Sequence, residues 1–133
     1  MDLIFGGIEL GKEKILVTSA LPYVNNIPHL GNLIGSVLSA DAFARFQRLL
    51  GNQVMFVLGT DDHGTTAEAR AVKEGISPRE LTDKYFEIHK KIYEWFQASP
   101  DAFGRSSSLE NHALNKEIFE KLMRHGFVFE GEM

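Results

Sequence analysis

His29, Gly31 and Asn32 stand close together in the run Pro28-His29-Leu30-Gly31-Asn32. On a helix, residues three apart share a face, so His29 and Asn32 would project together from one turn. Gly31 between them removes a Cβ and lets a planar base or a ribose approach the backbone. Upstream, Ile15, Leu16, Val17 and Thr18 form a short strand-like run that breaks at Leu21-Pro22 and turns at Asn25-Asn26. A strand, a turn and a helix N-terminus set N–H donors where a phosphate chain can lie. That is the chemistry of an ATP site built without a Walker lysine. Taken alone, His-x-Gly-Asn at a helix start is a weak signal, more often a capping or packing feature.

A second cluster is Gly59-Thr60-Asp61-Asp62-His63-Gly64. Neighbours on an extended loop point in opposite directions, so Asp61, Asp62 and His63 converge poorly on one ion and no metal site is expected. A carboxylate at a strand end beside the nucleotide turn can instead pair with the ammonium of an amino acid, and Asp61 suits that use. Asp62 also fits an Asx-type turn before the next helix. His63 with Gly64 can orient the loop or reach a ribose. Phe103-Gly104-Arg105 followed by three serines resembles a phosphate-binding loop, with Arg105 open between a nucleotide and a structural contact. On their own types, Leu21, Tyr23, Trp95 and Phe96 read as core or interface residues. His89, His112 and His125 are expected on helices, facing solvent and distant from these loops.

The elements that carry these residues follow from periodicity. Residues 14–21 read as a strand buried on both faces, as in a parallel sheet. Residues 29–50 read as a helix apolar nearly all round, hence interior, and Gly51 as its left-handed cap. Residues 53–58 form a second buried strand. Strand, helix and parallel strand make a right-handed crossover, and ligands bind at the C-terminal ends of such strands. The loops at 22–28 and 59–64 must therefore lie side by side. A short helix over 66–73 ends at Gly75. Ser77-Pro78-Arg79-Glu80 is a capping box with Pro at the first helical position. It opens a helix to about Phe96 with Leu81, Tyr85, Ile88, Ile92 and Phe96 inward. An extended segment covers 101–106. Ser107 with Glu110 reads as a second capping box, for a helix with Leu114, Ile118, Leu122 and Met123 inward. Phe127-Val128-Phe129 reads as the start of another strand.

With 133 residues, 44% hydrophobic and 24% charged, the chain suits one globular domain. It divides into an N-terminal extension at 1–13 and one nucleotide-binding unit at 14–133. Cysteine is absent, which excludes disulfides and Cys-liganded zinc and fits the cytoplasm. No apolar run reaches membrane-spanning length, and no secretory signal is expected. The net charge of −4 offers no excess of cations for a polyanion.

Three ordered stretches carry a resemblance across roughly 14–130. Ala20-Leu21-Pro22-Tyr23 with His29-Leu30-Gly31-Asn32 resembles the first ("HIGH") signature of class I aminoacyl-tRNA synthetases, in the subgroup for Met, Leu, Ile and Val. The Gly59–Gly64 and Phe103–Ser108 stretches are similar to the methionyl-tRNA synthetases. Val24-Asn25-Asn26-Ile27-Pro28 resembles their archaeal and eukaryotic branch. The resemblance implies the first half of a Rossmann-like α/β domain: a parallel sheet with flanking helices. It implies activation of methionine by ATP and Mg²⁺, then transfer to tRNA. Pro28, His29, Gly31 and Asn32 would serve ATP, with His29 and Asn32 catalytic. Ala20, Leu21, Tyr23 and Asp61 would serve methionine, with His63 and Arg105 in support. Asn32 replaces the second His of the commoner signature, so it can donate a hydrogen bond but cannot become cationic. The lysine-bearing second signature, the connective insertion that can hold Zn²⁺ and the anticodon domain are not in this sequence. The resemblance thus implies the first part of a longer ligase, with tRNA held mainly elsewhere. A leucine, isoleucine or valine enzyme, a small nucleotidylyltransferase and a non-catalytic ATP or amino-acid module are the alternatives.

Overall fold

The structure, a computed structural model, describes residues 13–131. The extension expected at 1–13 therefore lies outside the described residues, apart from Glu13. Strands β1 (Lys14–Thr18), β2 (Gln53–Thr60) and β3 (Ala102–Arg105) form one parallel sheet in the order β1-β2-β3. The register pairs Val17 with Phe56 and Leu58 with Phe103. Between β1 and β2 runs a continuous helical rod: α1 (Leu30–Asn32), a π segment (Leu33–Leu38) and α2 (Ser39–Leu49). Helices α3 (Thr65–Glu74) and α4 (Pro78–Trp95) link β2 to β3, and α5 (Leu109–Arg124) follows.

Both crossovers step across the sheet in the same direction. Right-handed connections then put their helices on one face. That face is the main core, with Val17, Phe56 and Leu58 packed against Leu33, Val37, Ala44 and Tyr93. The other face is open, and Leu16 and Met55, paired in register, are 65% and 59% exposed. The expectation that β1 is buried on both faces is corrected: alternation sends every second side chain away from the helices. The interior position expected for the 29–50 helix is corrected as well. Leu33, Val37, Asp41 and Ala44 are buried, whereas Leu30, Ile34, Phe43, Phe46 and Leu49 are exposed. A rod lying on a single sheet face buries only one stripe.

A second core, of Val24, Ala67, Ala71, Leu81 and Tyr85, sits beneath the loop after β1. Three caps match their sequence signals. Gly51 and Gly75 have φ of 85° and 70°, and Ser77 and Glu80 close the capping box, Glu80 N to Ser77 Oγ at 3.2 Å and Ser77 N to Glu80 Oε2 at 2.8 Å. The cap of α5 is Ser108, which accepts from Asn111 N, and not Ser107. No residue of α5 is buried, so Leu114, Ile118, Leu122 and Met123 do not point inward. Phe127, Val128 and Phe129 form no strand, having no ladder partner among the described residues. Trp95 is 77% exposed and Phe96 is also exposed; the two pack on each other at a helix end rather than in a core.

Candidate active site

All three strands end at one edge, and the loops that leave them carry the candidate residues. After β1 the chain passes buried Pro22, exposed Tyr23 and fully buried Val24. Tyr23 then pairs with Asp61 in a short parallel bridge. Asp61 N donates to Pro22 O at 2.9 Å, and Val24 N donates to Asp61 O at 3.1 Å. The two loops are side by side, as topology requires. The loop is held from below by two side chains. Arg70 Nη1 donates to Asn25 O, and His89 Nε2 to Asn26 O, both at 2.7 Å.

His89 is fully buried, which corrects its expected exposure. It lies on the i, i+4 row Leu81, Tyr85, His89, Tyr93, so a correct phase for α4 would have found it. Its Nδ1 lies 3.1 Å from Tyr93 Oη. Burial disfavours the imidazolium, and in the neutral ring that gives Nε2–H to the carbonyl, Nδ1 accepts from the phenol. Burial lowers the His89 pKa below its ordinary value and raises that of Tyr93 to about 12.

His29 is the N-cap of the helical rod. Its Nδ1 accepts from Gly31 N at 3.0 Å and Asn32 N at 3.4 Å. Two donors facing Nδ1 require its lone pair, which puts the ring proton on Nε2. The exposed ring therefore offers an N–H to an incoming anion. A Cβ on Gly31 would come within 2.9 Å of His29 Cε1; the glycine makes room for this ring. Further along, Ser39 Oγ hydrogen-bonds back to Gly35 O and Ser36 O. Such back-bonding, next to a glycine, loosens the regular ladder where the π segment forms. Ser36 Oγ reaches Ala20 O at 3.0 Å and Ser19 Oγ at 2.7 Å. Ala20, Ser19, Gly35 and Ser36 line an open groove of about 510 Å³ at the end of β1.

Asp61 is half-buried and accepts at Oδ1 from Ser106 Oγ at 3.1 Å and His63 N at 3.3 Å. Its Oδ2 has no hydrogen-bond partner among the described residues. Leu21 and Tyr23 are 43% and 58% exposed, correcting their reading as core. Leu21 approaches Gly59, where a Cβ would meet Leu21 Cδ2 at 3.3 Å. Asp62 turns the other way and is buried. It binds Arg105 Nε at 2.6 Å and Thr60 Oγ1 at 2.9 Å, and also accepts from Ser107 Oγ. Arg105 continues to Asp83 at 2.6 Å and lies over the Phe86 ring at 4.7 Å. Arg105 is therefore tied into a structural network, and Asp62 is its centre rather than a helix cap. His63 Nε2 lies 3.1 Å from His112 Nε2, so His112 is close to the loops, against expectation, while His125 is exposed. His63, His112, Arg105 and Asp83 line a cavity of about 540 Å³.

The candidates fall into three groups, carried by the segments that leave the strands: the His29–Gly31–Asn32 cap, the Leu21, Tyr23 and Asp61 positions, and the Asp62–Arg105 network. His89 was missed as part of this region, and for Asp62 and Ser106 the sequence signalled the loops but not the Arg105 and Asp61 contacts they make. A family profile described as "tRNA synthetases class I (M)" matches residues 15–133. The chain belongs to that family. The probable cytoplasmic methionine–tRNA ligase of Dictyostelium discoideum is 50% identical over 123 residues, 92% of this chain and 17% of that protein. The human cytoplasmic methionine–tRNA ligase is 49% identical over 120 residues, 90% of this chain and 13% of its own length. Among solved structures, Mycobacterium tuberculosis methionyl-tRNA synthetase in complex with methionyl-adenylate matches with a TM-score of 0.82 and 30% identity. It covers 86% of this chain and 22% of that one. The chain spans between 13% and 17% of the length of these two curated relatives. The resemblance read from the three motifs is borne out, and so is a Rossmann-like parallel sheet with flanking helices. For this synthetase segment, the wording at 24–28 also agrees with the higher identity to eukaryotic relatives.

Proposed function

We propose that this chain is the amino-acid and nucleotide-binding segment of a methionine–tRNA ligase. In the first step the carboxylate of methionine attacks the α-phosphate of ATP, giving methionyl-adenylate and pyrophosphate. In the second, the methionyl group passes to the 3′ adenosine of tRNA. The single observation that carries the reading is the Tyr23–Asp61 bridge. It joins a carboxylate with one oxygen unpartnered among the described residues to the loop that leads into the His29 cap.

In this reading Asp61 Oδ2 receives the ammonium of methionine by a charge-assisted hydrogen bond. Leu21, Tyr23 and Ala20 face the thioether chain, which suits apolar and aromatic surfaces. His29 donates from Nε2 to the phosphates as charge builds on them, with Asn32, Gly31 and Pro28 completing the turn. Arg105 and His63 support the Asp61 loop. Among the described residues no three His, Asp or Glu side chains gather as a metal cage. Mg²⁺ then enters as MgATP, a substrate, held mainly by the phosphates. The net charge of −4 leaves the main grip on tRNA to other parts of the ligase. The cytoplasmic names of relatives support a cytoplasmic setting. The test is Asp61→Ala: methionine affinity should fall far more than ATP affinity, and equal loss of both would remove Asp61 from this role.

A further inference from the structure

The Ser106 hydroxyl lies between two consecutive aspartates. Its Oγ accepts from Asp62 N at 2.8 Å and stands 3.1 Å from Asp61 Oδ1. A hydroxyl that accepts from an N–H has its own proton free, and a carboxylate oxygen only accepts. The Ser106 proton is therefore directed at Asp61. The serine itself is fixed on both sides. Its N–H extends the β2–β3 ladder to Thr60 O at 3.0 Å. Its carbonyl accepts from Asn111 Nδ2 at 2.7 Å. Asp62, whose N–H holds the hydroxyl, is in turn locked by Arg105 and Thr60.

We propose that Ser106 is a positioning residue for Asp61. Its hydroxyl and the His63 N–H occupy Oδ1, which leaves Oδ2 as the oxygen presented to a substrate ammonium. The inference rests on the reading of Asp61 as that ammonium's anchor. A merely structural serine would support the β3 end without distinguishing ligands that have the amine from ligands that lack it.

The test is made in the complete ligase that carries this segment, by methionine-dependent pyrophosphate exchange. The inhibitory probe is 4-methylthiobutanoate, which is methionine without its amine. Ser106→Ala should raise the KM for methionine about fivefold, the size of one hydrogen bond, with kcat, the KM for ATP and the inhibition constant of the probe little changed. Ser106→Thr, which keeps the hydroxyl, should restore the KM. Ser106→Cys, a weak donor of similar size, should behave like Ala and covers the case in which Ala does not fold. If Asp61→Ala weakens methionine alone while Ser106→Ala and Ser106→Cys change nothing, the inference is overturned and the reading of Asp61 stands. If Asp61→Ala weakens methionine and the probe equally, that reading fails and the inference with it.

Discussion

In the proposed function His29 has two jobs at one ring: Nδ1 caps the helical rod, and the exposed Nε2–H would meet an anion. A substitution series separates them. His29→Ala removes both and should cost about 1 kcal/mol of stability as a lost cap, with adenylate formation slowed about a hundredfold or more. His29→Asn keeps a capping oxygen, so thermal unfolding should match the parent while adenylate formation stays slow. If His29→Asn keeps full activity, the ring donor is irrelevant and His29 leaves the site. Gly31→Ala should resemble His29→Asn, because its methyl would stand 2.9 Å from His29 Cε1 and push the ring aside. Asp62 belongs to another class of residue. Its side chain is only 1% exposed and pairs with Arg105. Asp62→Ala leaves that guanidinium without its buried partner and should destabilise by about 3 kcal/mol, seen as a lower urea midpoint.

At the scale of elements, α4 does more than connect strands, because His89 props up the loop between β1 and the helical rod. Its folded pKa is depressed by burial, so the unfolded chain binds the proton more readily. The stability tied to His89 is complete above its ordinary value of 6.5 and is lost as pH falls from there through the lowered folded value. Urea unfolding at pH 7.5 and pH 5 should show a loss on acidification that is smaller in His89→Phe. An equal loss in both proteins would contradict the link. His89→Phe should itself cost about 1–3 kcal/mol, since Asn26 O and Tyr93 Oη lose their partner. Much of this architecture was legible in the sequence: β1, β2, the Gly51 and Gly75 caps and the Ser77 box have strong local signals. The phase of α4 was misread because aliphatic Ile88 and Ile92 outrank a histidine on any hydropathy pattern. The π segment has no local signature, arising where Gly35 and two serines meet the end of β1. The Ser107 cap was displaced by one residue because Asp62, distant in sequence, takes that hydroxyl.

For the molecule as a whole, one covered sheet face and one open face set what the chain can do alone. Leu16 and Met55 on the sheet, and Phe43, Phe46 and Leu49 on the rod, are exposed apolar surface of a kind that drives association. Sedimentation of the isolated chain should show mass rising with concentration, and Leu16→Glu with Met55→Lys should suppress it. Concentration-independent monomers before substitution would count against that surface being sticky. Three motifs fixed the fold class and family. The contacts around Asp61 and Arg105 were less legible, because Ser106 and Asp62 act through contacts that join residues 43 to 45 positions apart. The measurement that bears most directly on the proposed function is ATP–pyrophosphate exchange with Mg²⁺ and methionine, leucine, isoleucine or valine. It is run on the chain alone and with the remainder of the ligase supplied. Exchange with methionine only, abolished by His29→Ala, is the predicted result. Exchange with another of the four, or none with methionine even when the remainder is supplied, would contradict it.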